Sequence, residues 1–275
     1  MAGPLATQPN SGCWVADGME TLGDAWLDGY GRLHCMKVVG VDGCKAGWFA
    51  ISVRQRNAWT VDVYADAAAL WQAHSDASQI LLDIPIGLPW RGVPVRGCDL
   101  EARRLLGRGR ASSVFPPPSR AALDTTNYAK AGRLNREEIG KSLSQQCFNI
   151  LPKIRQVDEL LREHPSARDV VREVHPELCF WALNNHRATT HRKKDRSGFN
   201  ERLHLLSRAF PPTPEIVAHA IQRFKRKEVS RDDILDALVA VVTALQQGQL
   251  ISIPSPAQRD ATGLPMEMVY TERLV

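Results

Sequence analysis

The chain has 275 residues, 44% of them hydrophobic and 24% charged. That is the composition of a folded globular protein, long enough to bury a substantial core, and it excludes a disordered or fibrous chain. The formal net charge of +5 favours an anionic partner without requiring one, and no apolar run approaches the roughly 20 residues of a membrane span, so no membrane partner is expected.

Residues 1–35 are rich in Gly and lack periodicity. With no basic n-region and no long apolar stretch they are not a signal peptide. They read as a flexible N-terminal extension that contributes little to the core, with Met36 as an alternative start. The six cysteines (Cys13, Cys35, Cys44, Cys98, Cys147, Cys179) form no C-x-x-C pair. They read as reduced thiols of a cytoplasmic protein.

From residue 37 the pattern sharpens. Lys37–Asp42, with the β-branched run Val38, Val39, Val41, is a first strand. Gly43 and Gly47 mark a tight turn into a second strand, Trp48–Val53, and Trp59–Tyr64 alternates as a third. Ala65–Ala73 is helical in composition. Ile80–Ile84 is a fourth strand, and Pro85 and Gly87 follow it. Asp99 is expected to cap a basic helix, Glu101–Arg110, and 112–118 is a Pro-rich loop. Helical spacing runs over 141–163, interrupted by Pro152. Val170–Val174 is a fifth strand, and Pro176 opens a helix to Leu183. Helices follow at Gly198–Arg208 and up to Phe224. Ser230 caps a last helix, Arg231–Leu245, with Ile234, Leu235, Leu238, Val242 and Leu245 on one stripe. Met266–Thr271 is a short strand candidate. The expected architecture is an α/β mixed five-stranded sheet flanked by helices, with a helical insertion after strand four.

Acidic residues stand at the ends of these elements: Asp42, Asp83, Glu177, and the group Asp232, Asp233, Asp236. Each has a plain structural reading, as a turn former, a first-turn glutamate or a capping-box residue. Together they also suit Mg²⁺ or Mn²⁺, hard cations that prefer carboxylate oxygens. Neighbouring strands lie about 4.8 Å apart, so carboxylates at their ends can share an ion.

Several longer motifs carry a resemblance. Val38-Val-Gly-Val-Asp-Gly-Cys-Lys-Ala-Gly-Trp48, Asp83-Ile-Pro-Ile-Gly-Leu88, Ala102-Arg-Arg-Leu-Leu106, Ser113-Val-Phe-Pro116, Leu143-Ser-Gln-Gln146, Ile150-Leu-Pro-Lys-Ile154, His175-Pro-Glu177 and Asp233-Ile-Leu-Asp-Ala237 together resemble the DUF429 family, described as predicted nucleases of the ribonuclease H-like fold. The resemblance spans about residues 37–245. It implies a ribonuclease H-like domain over 36–275, with Asp42, Asp83, Asp233 and Asp236 as metal ligands and Glu177 as a further site residue. The Asp-x-x-Asp-Ala spacing selects Asp233 with Asp236, although on a helical wheel Asp232 lies nearer the apolar stripe.

The expected function is hydrolysis of a phosphodiester bond in nucleic acid, DNA or RNA, with Mg²⁺ or Mn²⁺. Asp42 would bridge two ions, and Lys45 would steady a phosphate. Arg103, Arg104, Arg108 and Arg110, and His191 to Lys194, are candidate phosphate contacts or simply solvated charge. One alternative is a phosphotransferase of the actin and sugar-kinase type, which also opens strand, Asp-Gly turn, strand; the Gly-rich phosphate loops it would need are missing. The other is a nucleic-acid-binding protein without catalysis.

Overall fold

The computed structural model describes residues 25–27, 33–55 and 58–272. The chain divides into two compact units, residues 1–35 and 36–275. In the first, Ala25–Leu27 pairs antiparallel with Leu33–Cys35. The remainder of the expected flexible extension lies outside the described residues.

In the second unit the apolar runs form a sheet: β1 (Val38–Cys44), β2 (Gly47–Gln55), β3 (Ala58–Tyr64), β4 (Gln79–Leu82) and β5 (Val171–Glu173). Their spatial order is β3-β2-β1-β4-β5. The first three form an antiparallel meander, whereas β4 is parallel to β1 and β5 is parallel to β4. Nine α-helices accompany the sheet among the described residues: α1 (Ala67–His74), α2 (Gly97–Arg110), α3 (Tyr128–Ile139), α4 (Gln145–Glu163), α5 (Ala167–Val170), α6 (Pro176–Leu183), α7 (Arg196–Ala209), α8 (Thr213–Arg223) and α9 (Arg231–Ala244). Helices α2 to α5 fill the chain between β4 and β5. A hairpin of β6 (Ile251–Arg259) and β7 (Pro265–Tyr270) closes the unit. No helix is long and apolar enough to cross a membrane. The four cysteines whose side chains are described are unpaired.

Strand alternation divides the core into two layers. Val39, Val41, Ile80 and Leu82 pack on one face with Leu151, Ile154 and Val157 of α4. Val38, Ile51 and Leu81 pack on the other with Leu238, Val241 and Val242 of α9. Gly40, Asp42 and Asp83 share the second face by the same period of two. At Gly40 the absence of a side chain is essential. A Cβ there would stand 2.2 Å from the Ala237 carbonyl and 2.4 Å from the Val241 nitrogen. Helix α9 therefore crosses β1 backbone to backbone.

Several boundaries differ from the sequence reading. Helix α2 begins at Gly97, with Arg96 in the cap position, so Asp99 is a first-turn residue and not the N-cap. Its carboxylate lies 3.6 Å from the Arg96 Nε. Strand β4 ends at Leu82, two residues early. Pro85 has no N–H for a ladder, and the Ile86 N–H donates to the Glu173 carboxylate at 2.6 Å. Helix α4 starts only after Ser144, whose Oγ accepts the Cys147 N–H, and it runs through Pro152 unbroken. Helix α3 was not expected. It is mostly polar, and its signals are local: an Asn127 cap and a left-handed Gly140 stop. Strand β6 carries Pro254 and Pro256, which argue against a strand; the hairpin tolerates them through a register shift between Ile253 and Gln258.

On α1, His74 is buried and neither ring nitrogen has a hydrogen-bond partner. Burial, with the Lys37 ammonium, lowers its pKa from 6.5 to about 4. The unfolded chain takes up this proton first. Stability from neutral His74 is therefore complete above pH 6.5 and lost as pH falls towards 4. Between pH 7 and pH 5 the native protein is expected to lose about 2 kcal/mol more than His74→Leu, measured by urea unfolding. Equal losses in the two proteins would show that His74 is not the titrating group.

Candidate functional site

The parallel register sets the geometry. Val41 pairs with Leu82, and the Asp83 N–H donates to the Val41 carbonyl at 3.1 Å. The Val174 N–H donates to the Leu82 carbonyl at 3.1 Å. Asp42, Asp83 and the Val174–Glu177 turn thus lie side by side at the C-terminal ends of β1, β4 and β5. Helix α9, seated on Gly40, brings Asp236 to the same place. Beside these ends opens a cleft of about 340 Å³, lined among others by Asp83, Asp236, Glu177, Arg110, His175 and Lys193.

The carboxylates feel one another. Burial raises Asp42 well above the usual carboxylate range, and Asp83, Asp236 and Asp233 raise it further; the Lys193 ammonium opposes them. Burial and then Asp236 push Asp83 up to about 7, with Lys193 pulling the other way. Asp236 is raised by burial, against Lys193. Beyond its own strand the support is thin. Asp42 accepts the Gly43 N–H at 2.7 Å. Asp236 takes the Lys193 ammonium at 3.1 Å.

Two other acidic residues are engaged elsewhere. Asp233 forms a capping box with Ser230: its Oδ2 accepts the Ser230 N–H at 2.7 Å, and its own N–H donates to the Ser230 Oγ. It still acts on Asp42 through space. Glu177 is buried against Arg202, whose Nη2 donates at 2.5 Å, with Arg110 Nε at 3.6 Å and the Thr189 hydroxyl at 3.4 Å. That carboxylate is already neutralised. Lys45 is exposed on the β1–β2 turn and does not line the cleft.

Two lysines absent from the expected site lie near its carboxylates instead. Lys153, on α4, donates to the Gly47 carbonyl and stacks over Trp48 at 4.6 Å from the ring centroid. Burial lowers its pKa, while Cys44, Asp42 and Asp233 raise it. Its motif, Ile150–Ile154, was visible, but nothing in the spacing linked it to Asp42. Lys193 belongs to the basic run read as either phosphate contacts or solvated charge; its ammonium turns inward to Asp236. His175 lines the cleft, and burial lowers its pKa. Among the described residues no group of three or more His, Cys, Asp or Glu side chains is gathered as a metal ligand set. The close cation partner of the Asp236 carboxylate is an ammonium.

Fold and site together define a mixed α/β protein with buried, mutually repelling carboxylates at the ends of parallel strands. The chain belongs to a family described as "Protein of unknown function (DUF429)", which it matches over residues 40–259. That span includes every acidic residue considered above. No curated protein and no solved structure matches the chain.

Proposed function

We propose that this protein is a metal-dependent phosphodiesterase of the ribonuclease H-like fold that hydrolyses nucleic acid. The observation that carries the reading is the convergence of Asp42, Asp83 and Asp236. Folding brings three buried carboxylates near enough to repel, although not into a closed ligand set, a cost that a binding site for a cation explains and a turn former does not. The strand order β3-β2-β1-β4-β5, with a final helix laid across β1, supports the ribonuclease H-like assignment.

The donor set suits Mg²⁺ or Mn²⁺, being all carboxylate oxygen with no thiolate or imidazole among the three. Asp42, Asp83 and Asp236 would hold the ion, and Asp233 would act on it through space. When bound, it supplies Lewis acidity at a phosphoryl oxygen and a nucleophilic water. The protein's own groups do the rest. Strand ends hold Asp83 on the cleft wall and Asp42 beside it, ionised once a cation offsets their repulsion. Arg110 and Lys193 set positive charge on the cleft wall. Arg104, Arg108, Arg192 and Lys194 are exposed and free to meet a sugar–phosphate backbone.

Mn²⁺ is expected to raise the melting temperature of the native protein, and EDTA to reverse the rise, because a ligand of the folded state alone stabilises it. Asp42→Asn keeps the shape and removes a repelling charge. It should abolish both the Mn²⁺-induced rise and the hydrolysis of single-stranded or duplex oligonucleotides. Its melting temperature without metal should be unchanged or higher, by about 2–4 °C per kcal/mol of relieved repulsion. If Asp42→Asn still binds Mn²⁺, the reading fails.

A further inference from the structure

The turn that joins β1 to β2 stands at the same sheet end as Asp42. It lies on the β2 side of β1, whereas the cleft opens beside the ends of β4 and β5. Its shape is fixed. Gly47 has a φ of +135°, and a Cβ there would stand 2.0 Å from the Tyr64 carbonyl oxygen. Lys153 braces the turn from α4 by donating to the Gly47 carbonyl. The Ala46 N–H donates to the Glu228 carbonyl at 3.3 Å, which ties the turn to the segment 224–230 between α8 and α9. That segment is anchored in its turn. The Phe224 ring packs edge-on against Phe49 at 5.8 Å, Val229 is buried, and the Glu228 and Val229 N–H groups both donate to the Lys225 carbonyl. Two anchored loops therefore present Lys45, Lys225, Arg226 and Lys227 together. All four are exposed, and among the described residues none of their charged groups is paired with a carboxylate. Glu228 and Asp233 nearby spend their carboxylates on the Lys225 and Ser230 N–H groups.

We propose that this joined surface is a contact for the sugar–phosphate backbone of a nucleic acid, outside the cleft and on the opposite flank of Asp42 from Arg110 and Lys193. The inference rests on the nucleic-acid reading above and deepens it: the substrate is a polymer long enough to reach from one basic flank to the other across the strand ends. It needs no bound metal. A charge run on a loose tail spreads out in solvent. Here backbone contacts hold the cations together, and no local carboxylate offsets their repulsion. A polyanion does so, and gains affinity by releasing its own counterions. What the surface lacks defines how it binds. Phe224, the aromatic residue of the segment, is turned to Phe49, so it is not presented for a base to stack on. Phosphate contacts position a strand and carry no sequence information. The surface therefore adds affinity alike for every sequence, and Lys45 steadies a phosphate beside the site, not within it.

The test is binding of fluorescent oligonucleotides, single-stranded and duplex, to the full chain. Anisotropy is followed over a range of salt in EDTA, so that neither a metal nor turnover enters. Lys45→Ala, Arg226→Ala and Lys227→Ala are combined in one variant; the same three positions changed to Gln give a second should the first fail to fold. Lys130→Ala, Arg133→Ala and Arg136→Ala, exposed on α3, remove the same charge elsewhere. In the surface variants the fall of log affinity with log salt should be shallower by about 2–3, close to one per lost phosphate contact. The change should be the same for unrelated sequences, and the α3 variant should keep the native slope. An equal slope in the native protein and the surface variants, or an equal change in the α3 variant, overturns the inference and leaves the nucleic-acid reading standing. No oligonucleotide bound by the native protein overturns both, and polyglutamate bound in its place would make the occupant an acidic protein.

Discussion

Arg96→Ala is expected to destabilise the protein by roughly 3–5 kcal/mol, the usual cost of stripping one partner from a buried ion pair. The Arg96 side chain is fully buried, and its Nη2 donates to both Glu173 carboxylate oxygens at 2.7 Å. Nε and Nη2 also approach the Cys98 Sγ at 3.2 and 2.9 Å. Burial pushes Glu173 upward and the guanidinium pulls it back. Without Arg96, Glu173 and Asp99 remain buried with no cation between them. The damage should reach the candidate site, because the Glu173 Oε2 also accepts the Ile86 N–H and so pins the turn that follows Asp83. Urea unfolding is the measurement, with a melting temperature lower by roughly 10 °C at this chain length. The double variant Arg96→Met, Glu173→Gln should recover at least half of the loss, since it removes the orphaned charge. A loss below about 1 kcal/mol for Arg96→Ala would mean that water reaches the pair and that the cluster is not the buried anchor described here.

Gly40→Ala is expected to be nearly as severe and to act more directly on the site. The added methyl would lie 2.2 Å from a carbonyl oxygen of α9. Neither of the two nearest neighbours is a flexible side-chain tip: both are backbone atoms of α9. The helix must lift or slide. Overpacking typically costs about 1–3 kcal/mol and sometimes more, and a clash between two backbones belongs at the upper end. Displacing α9 carries Asp236 away from Asp42 and Asp83 and from the Lys193 ammonium. The variant should therefore lose Mn²⁺ affinity even under conditions where circular dichroism shows it folded. If Gly40→Ala melts within about 2 °C of the native protein, α9 does not seat on β1 as closely as the geometry requires.

Much of this protein could be read from its chain alone, for local reasons. The β-branched runs at Val38–Val41 and Ile80–Leu82 have no stable alternative to a buried strand. Pro176 and Ser230 mark helix starts by backbone chemistry that needs no tertiary partner. The strand-end position of Asp42 and the turn position of Asp83 follow from those runs. What the chain alone could not decide was how the acidic residues divide their work. Asp233 and Asp236 differ by three positions on one helix, yet Asp233 closes a capping box while Asp236 turns to the cleft. The Ser230 capping-box signal hinted at the role of Asp233, but the seat of α9 on Gly40 is what carries Asp236 to the cleft. Glu177 looked like the other carboxylates until Arg202, on a helix distant in sequence, was found beside it. Lys45, three residues from Asp42 in the chain, stays on the surface turn, and Lys153 and Lys193 come near the carboxylates from α4 and from the segment before α7. Charge pairing across a fold depends on which backbones approach, and that is settled by packing between elements far apart along the chain.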